Sequence, residues 1–372
     1  MTVASRLGGP VVATVGIHGL LMAVYLWHFG GDPSAFVCAG ANRVGKPPYE
    51  AVTCVCGPSG HDGQFYYSLA RAPLTRHGDD LDLASYRHVR IIFPALCWAV
   101  SGGSPWFVFY AMPAVNLVAI AAMAGIGAAW AMRHGRNPWW GLLLPVGLNA
   151  GISLIHNFTD CLSSLAVVGL LAAWLSRRPA WLITLLAAAA VFSREQNLFA
   201  VGLIGVFALV QARRDAVLGI AVAVAAWVGW VGLLVSAYGQ LPLVPGDQNL
   251  ALPLRGIVFR ISQLGQAGGH VSTRLAIVQG FGLLHLLLLL AAGVCMLRWR
   301  IAAEVRALLA AGVVLAVVTG TGPYTDFSSY LRVFAWVPIG MWFGSMAAGR
   351  SWPLWLMTPA FLCSLAAALR WA

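Results

Sequence analysis

The chain has 372 residues, 60% of them hydrophobic and only 9% charged, with a mean hydropathy of +0.79. Soluble domains carry roughly 25% charged residues, so this composition lies well outside the soluble class. The formal charge of +11 does not mark a nucleic-acid partner either, because the arginines stand in ones and twos between apolar segments and form no basic stripe. A bilayer core about 30 Å thick needs about 20 apolar residues per helix, and backbone groups in lipid must be satisfied within the spanning element. Runs such as Leu283 to Leu297 lack the alternation of a barrel strand, so the spanning elements are expected to be helices.

Arg6 precedes an apolar run from about Gly8 to Phe29, which reads as an uncleaved first helix with a cytoplasmic N-terminus. Residues 31–90 then form a long polar loop on the outer side. Residues 91–101 are too short to span and read as an interfacial or half-inserted helix before Gly102, Gly103 and Pro105. A full helix at about 106–132 returns the chain to Arg133, His134 and Arg136. Further helices are predicted at about 139–155, 161–176, 180–192, 198–211 and 216–238, followed by a second large outer loop at 239–275. The last four fall at about 276–297, 304–320, 333–348 and 352–369.

The sum is an all-α polytopic membrane protein with about 11 transmembrane helices, one domain over residues 1–372. Charge placement agrees with this path. Of the 12 acids only Asp215 and Glu304 fall on the inner side, where Arg133, Arg136, Arg177, Arg178, Arg213, Arg214, Arg298, Arg300, Arg306 and Arg350 join Arg6. That asymmetry is the one the positive-inside rule expects.

Cys97, Cys161, Cys295 and Cys363 lie in apolar segments and read as packing residues. Cys38, Cys54 and Cys56 fall in the first loop, where an oxidising compartment would let Cys38 pair with either of the others. Three thiols without a suitably placed fourth ligand fit zinc poorly, and the spacing of the outer acids supplies no ligand set for a divalent metal.

The first loop contains Gly60-His61-Asp62-Gly63-Gln64-Phe65-Tyr66-Tyr67-Ser68-Leu69-Ala70-Arg71, followed by Tyr86-Arg87-His88-Val89-Arg90-Ile91-Ile92-Phe93-Pro94, a basic lead into an apolar helix. An Asp-Gly-Gln-Phe-Tyr-Tyr loop followed by such a lead resembles bacterial members of the GT-C superfamily of polytopic glycosyltransferases. The resemblance extends to Asp160 in the second outer turn and to Ser193-Arg194-Glu195 in the third. The second turn, His156-Asn157-Phe158-Thr159-Asp160, lacks the closely following glutamate of the pattern. The general plan of the whole chain is covered, with the first loop as its specific part.

The resemblance implies a GT-C-like fold and transfer of a sugar from a polyprenyl-phosphate donor to an envelope glycan, lipid or protein acceptor. The reaction would take place at the outer face of the bacterial inner membrane, with inversion. No cofactor is implied with certainty. Asp62 is the candidate general base, a role worth roughly 10²–10⁴-fold, with Asp160 assisting. Candidate substrate contacts are His61, Gln64, Tyr66, Tyr67, Arg87, Arg90, His156, Arg194, Glu195, Tyr324, Asp326 and Arg332. Arginine forks suit the phosphate of the departing lipid.

Plainer readings exist for most of these residues. Asp62 is a favoured N-cap before a helix at Gly63, and Asp160 before one at Cys161. Tyr66 and Tyr67 read as interfacial anchors. Arg194 and Glu195 could pair with each other, and Asp79, Asp80 and Asp82 form a solvated run. The rival function is a transporter or lipid-linked-sugar flippase, which would place ionisable residues or broken helices near the midplane in paired repeats. No Asp, Glu, Lys or Arg stands at the centre of an expected helix, and no internal repeat is evident.

Overall fold

The computed structural model describes residues 3–75, 80–242, 249–265, 273–325 and 327–370. Helix accounts for 74% of the chain, and no strand occurs among the described residues. In chain order the helices are α1 (Val3–His28), α2 (Gly63–Arg71), α3 (Ala84–Val89), α4 (Ile92–Ser101), α5 (Pro105–Arg133), α6 (Leu143–Gly147), α7 (Ala150–Ile155), α8 (Asp160–Leu175) and α9 (Ala180–Ser193). They continue with α10 (Asn197–Val210), α11 (Arg214–Tyr238), α12 (Arg255–Gly265), α13 (Thr273–Met296), α14 (Ala303–Val318), α15 (Phe327–Val333), α16 (Trp336–Ala348), α17 (Trp352–Trp355) and α18 (Pro359–Arg370).

Five stretches are long and apolar enough to cross a bilayer: Arg6–His28, Pro105–Arg133, Arg214–Tyr238, Ala276–Met296 and Trp352–Leu369. Their large side chains face outward without cover, among them Trp27, Val118, Leu218, Leu233 and Ile277. Exposed apolar surface on this scale would be a liability in water and is the expected face toward lipid. By length and composition these helices are compatible with a helical membrane protein. Helices α8, α9 and α10 have 16, 14 and 14 residues, and at 1.5 Å per residue they reach only about 21–24 Å.

Two expectations change. The predicted helix at 139–155 is instead a 3₁₀ turn (Pro138–Leu142) followed by α6 and α7, with Asn149 between them at φ +55°. Gly147 has no room for a Cβ because the Met357 side chain fills that space. The predicted helix at 352–369 is likewise split into α17 and α18. His285 Nε2 lies 2.6 Å from the Leu356 carbonyl oxygen at the break, and Ser364 Oγ lies 2.6 Å from Asn149 Oδ1. The expected second outer loop at 239–275 holds the amphipathic helix α12. By contrast, residues 91–101 do form the separate short helix expected of them, α4.

The chain divides into two compact units. One comprises residues 1–10, 124–152 and 244–367. Within it α14 packs on α16 through small residues: Gly312 lies against the Val337 backbone and Gly340 against Leu309. Arg350 Cζ stands 4.9 Å from the Trp299 ring centroid, joining two turns that the charge count assigns to the inner side.

The other unit comprises residues 11–123, 153–243 and 368–372. Here α9 packs between α8 and α11, α2 lies on α4, and α3 on α11. Arg213 Nη2 donates to the Arg178 carbonyl at 3.1 Å, again joining two turns of the expected inner side. The first loop in this unit is a packed cap. Asp32 Oδ1 accepts from the Ser34 amide to start a 3₁₀ turn at Pro33–Val37, and Cys38 follows at φ +53°. Cys38 is disulfide-bonded to Cys56, which resolves the two pairings open in the sequence. Ala39 bridges to both Val55 and Gly60, and a Cβ at Gly60 would collide with the Gly40 amide.

Candidate functional site

The packed first loop positions Asp62 at the start of α2. Its backbone is already helical (φ −55°, ψ −26°), and its side chain makes no capping hydrogen bond. The carboxylate turns instead to Arg87, whose Nη2 lies 3.2 Å from Oδ1. Arg87 is buried and forked. Its Nε and Nη2 donate to the two oxygens of Asp82 at 2.8 and 2.7 Å, and its Cζ sits 4.3 Å over the Phe65 ring. Burial would lower the basicity of Arg87, but the Asp62 and Asp82 carboxylates more than offset it and hold the group firmly protonated. The expected solvated run is therefore partly structural: Asp82 anchors Arg87 and Asp80 Oδ2 accepts from the Ser68 hydroxyl. Asp79 lies outside the described residues.

Two further ion pairs stand in the same unit. Arg90 donates from Nε and Nη2 to Glu195 Oε2 and Oε1 at 2.9 and 2.6 Å, and from Nη1 to the Tyr66 hydroxyl at 3.3 Å. Burial alone would raise the Glu195 carboxyl; the Arg90 guanidinium outweighs it and pulls the group down to about 2. Arg194 pairs with Asp160 through Nη1 and Oδ1, and both side chains are buried. Arg194 and Glu195 thus hold different ion-pair partners, while the Arg194 charge also helps keep the Glu195 carboxyl low. Asp160 is the first residue of α8, with Thr159 at the N-cap position. A carboxylate in that first turn also meets the positive end of the helix dipole.

His61 and His156 stack with ring centroids 4.6 Å apart and planes 8° apart. A Cβ on Gly63 would collide with the His156 carbonyl oxygen, so the glycine of the motif is what lets the first loop and the second outer turn touch. Asn157 Nδ2 donates to the Phe36 carbonyl at 2.9 Å, and Asn116 of α5 donates to the carbonyls of Ser153 and Phe158, both at 3.2 Å. These bonds fix the α7–α8 turn, which would otherwise leave buried carbonyls without donors.

Several sequence candidates are engaged in structural contacts. Gln64 is buried, accepting from the Gly40 amide at 3.1 Å and donating to the Ser59 carbonyl at 2.7 Å, so it clamps the loop backbone. Tyr66 and Tyr67 are almost wholly buried and cannot be interfacial anchors. Tyr66 meets Phe93 edge-on, while Tyr67 stacks on Tyr49 and Phe109, because α2 lies flat on α4 and the start of α5. Tyr324 belongs to the other unit, where it is buried and donates to the Ala316 carbonyl at 2.7 Å. Arg332, also in that unit, donates to Ser329 Oγ at 3.2 Å. Asp326 lies outside the described residues.

Residues that sequence reasoning passed over are Asp82, Phe65, Tyr86 and Asn116. Only Asp82 carries a local signal, an acid five positions before Arg87. No family model matches the chain, and no curated protein or solved structure is significantly similar to it.

Proposed function

We propose that the chain is a GT-C-type glycosyltransferase that moves a sugar from a polyprenyl-phosphate donor to an extracytoplasmic acceptor of the bacterial envelope. In this reading the chain crosses the membrane eleven times, with its N-terminus inside. The observation that carries it is the state of Asp62. Its side chain is 38% exposed, against 7% for Asp160, although both belong to the acidic outer turns. A general base must reach the acceptor hydroxyl, so the open carboxylate is the candidate and the sealed one holds its turn in place. Asp62 is also oriented from behind by a buried guanidinium, the arrangement a positioned base needs.

The proton balance of such a transfer is simple. Asp62 takes the proton of the acceptor hydroxyl as its oxygen attacks the anomeric carbon, and the carbon–oxygen bond to the lipid phosphate breaks with inversion. The leaving phosphate needs cationic partners. Arg87, Arg90 and Arg194 already hold carboxylates, so the donor would exchange with or add to those contacts. Sidedness is supported by the pairing of turns. Those expected inside meet through Arg213 and the Arg178 carbonyl, and those expected outside meet through Asp62–Arg87, Arg90–Glu195 and Arg194–Asp160.

Purified protein given a radiolabelled polyprenyl-phosphate sugar and a mixed envelope acceptor fraction tests the reading. The wild type should consume donor, and Asp62→Asn should abolish turnover while keeping its helical content. Normal transfer by that variant would sink Asp62 as the base. A membrane-impermeant thiol label at a cysteine replacing His134 should fail to react in intact cells. A transporter is the second reading, favoured by the interrupted helices at Asn149 and at 356–358. It predicts movement of lipid-linked sugar across vesicles with no change in the glycosidic bond.

A further inference from the structure

We propose that Cys38, His61 and His156 form a redox-gated site for a borderline-soft divalent metal of the zinc class. One sulfur and one ring nitrogen from each histidine lie within 4.8 Å of one another. A thiolate with two imidazoles is a zinc-type donor set, short of the tetrahedral four by one position that water or a substrate oxygen fills. Tetrahedral zinc with Zn–N near 2.0–2.1 Å and Zn–S near 2.3 Å sets neighbouring donors about 3.4–3.6 Å apart. The cluster therefore needs to contract by about 1 Å, and because the two imidazole planes lie 8° apart, one ring must also turn about its side-chain torsions so that the in-plane lone pairs converge on the ion.

The three residues come from distant parts of the sequence and are held together by backbone. The His61 amide donates to the Cys38 carbonyl at 3.0 Å. The His156 carbonyl fills the place of a Cβ at Gly63, and Asn157 is tied to Phe36 two residues before Cys38. Backbone contacts of this kind hold the three residues in place for an ion. Structural packing alone explains a stacked histidine pair. The sulfur beside them stands there as half of the Cys38–Cys56 bond, so it becomes a ligand only when that bond opens.

The gate is the Cys38–Cys56 disulfide. While that bond stands, the Cys38 sulfur carries no negative charge and only two imidazoles are available. A dithiol donor opens it by exchange: the donor's two thiols become a disulfide, and Cys38 and Cys56 each gain one electron and one proton. The Cys38 thiol then releases its proton to solvent as its sulfur binds the metal. Disulfide and metal are mutually exclusive occupants of one sulfur. Because His61 immediately precedes Asp62, the choice between them acts on the start of α2.

Cobalt(II) is the probe, titrated into protein carrying no polyhistidine tag. Protein reduced with a water-soluble phosphine should bind one equivalent and show a thiolate-to-cobalt charge-transfer band that added zinc removes. Oxidised protein should bind roughly tenfold or more weakly and show no band. The Cys54→Ser/Cys56→Ser variant, in which Cys38 has no partner in the loop, should show the band without reductant. Cys38→Ser should lose it under every condition. The proposal is overturned if reduced wild type shows no band, or if the band persists in Cys38→Ser. Neither measurement depends on sugar transfer, so failure of the glycosyltransferase reading leaves this result standing, and the reverse.

Discussion

Arg90 grips Glu195 with two nitrogens, at 2.9 and 2.6 Å, across 105 residues of sequence. The pair joins the lead into α4 to the turn between α9 and α10. Tyr86 reinforces it, its hydroxyl 3.4 Å from Glu195 Oε1 and its ring under the Arg90 guanidinium at 4.6 Å. Glu195 and its neighbour Arg194 therefore anchor one short turn to two separate elements.

The first prediction concerns this pair and pH. The Glu195 carboxyl is lowered from its ordinary 4.5 to about 2, so the unfolded chain binds its proton first as acid is added. The resulting stability is fully present above about 4.5 and is lost as pH falls toward about 2. Glu195→Gln should destabilise the protein at pH 7 by on the order of 2 kcal/mol, below the usual value for a fully buried pair because the carboxylate is partly open. Thermal unfolding in detergent at pH 7 and pH 3 checks it. The gap between wild type and variant should narrow at the lower pH.

A second prediction tests the close approach at Gly63. Gly63→Ala places a methyl group against the His156 carbonyl, where backbone rather than a flexible side chain must move. Overpacking of that kind costs roughly 1–3 kcal/mol, and the cost falls on the contact that brings the first loop to the second turn. Gly19→Ala, in α1 with open space around it, is the matched control and should be neutral or slightly stabilising. Equal melting temperatures for the two variants would contradict the packing described.

These cases show which parts of the architecture can be read from residues alone. Long apolar runs and the spacing of arginines carry the helix order, because bilayer thickness and charge placement act locally along the chain. The place of Asp62 at the start of α2 was visible because Gly60 and Gly63 bracket it within a distinctive motif. The fates of Gln64, Tyr66 and Tyr67 were not visible. A polar loop with two tyrosines looks interfacial until α2 is seen lying on α4, which converts both rings into core. The breaks at Asn149 and Leu356 were hidden for a related reason. One asparagine in an apolar run looks tolerated, and the serine and histidine that meet the two breaks come from far along the chain. Arg90–Glu195 and Arg194–Asp160 are long-range pairings that no local spacing encodes.

The third prediction concerns the first loop as a covalent ring. The Cys38–Cys56 bond closes 18 residues, for which the chain-entropy account gives about 3 kcal/mol. Cys38→Ser/Cys56→Ser should lower stability by about that amount and make the segment around residues 39–55 more open to proteolysis. The thiol of Cys54 is pushed up to about 11, chiefly by burial, so it should be a poor nucleophile at neutral pH and should not take over the pairing in wild type. Non-reducing peptide mapping should recover a single Cys38–Cys56 linkage.

The last prediction separates structure from chemistry at Asp160. Its carboxylate and the Arg194 guanidinium are both buried, so removing either alone strands a charge away from water. Asp160→Ala or Arg194→Met should each cost about 3–5 kcal/mol, whereas a well-packed apolar replacement of both partners is often close to neutral. The double variant should therefore be more stable than either single variant, so the coupling in a double-mutant cycle should exceed about 3 kcal/mol, the cost of one single variant. Turnover provides the second axis. If Asp160 holds the turn, restoring stability by the paired substitution should return donor consumption to within roughly tenfold of wild type, while Asp62→Asn stays inactive. If the stabilised double variant is as dead as Asp62→Asn, Asp160 or Arg194 must meet the substrate directly, and the buried pair seen here opens during the reaction.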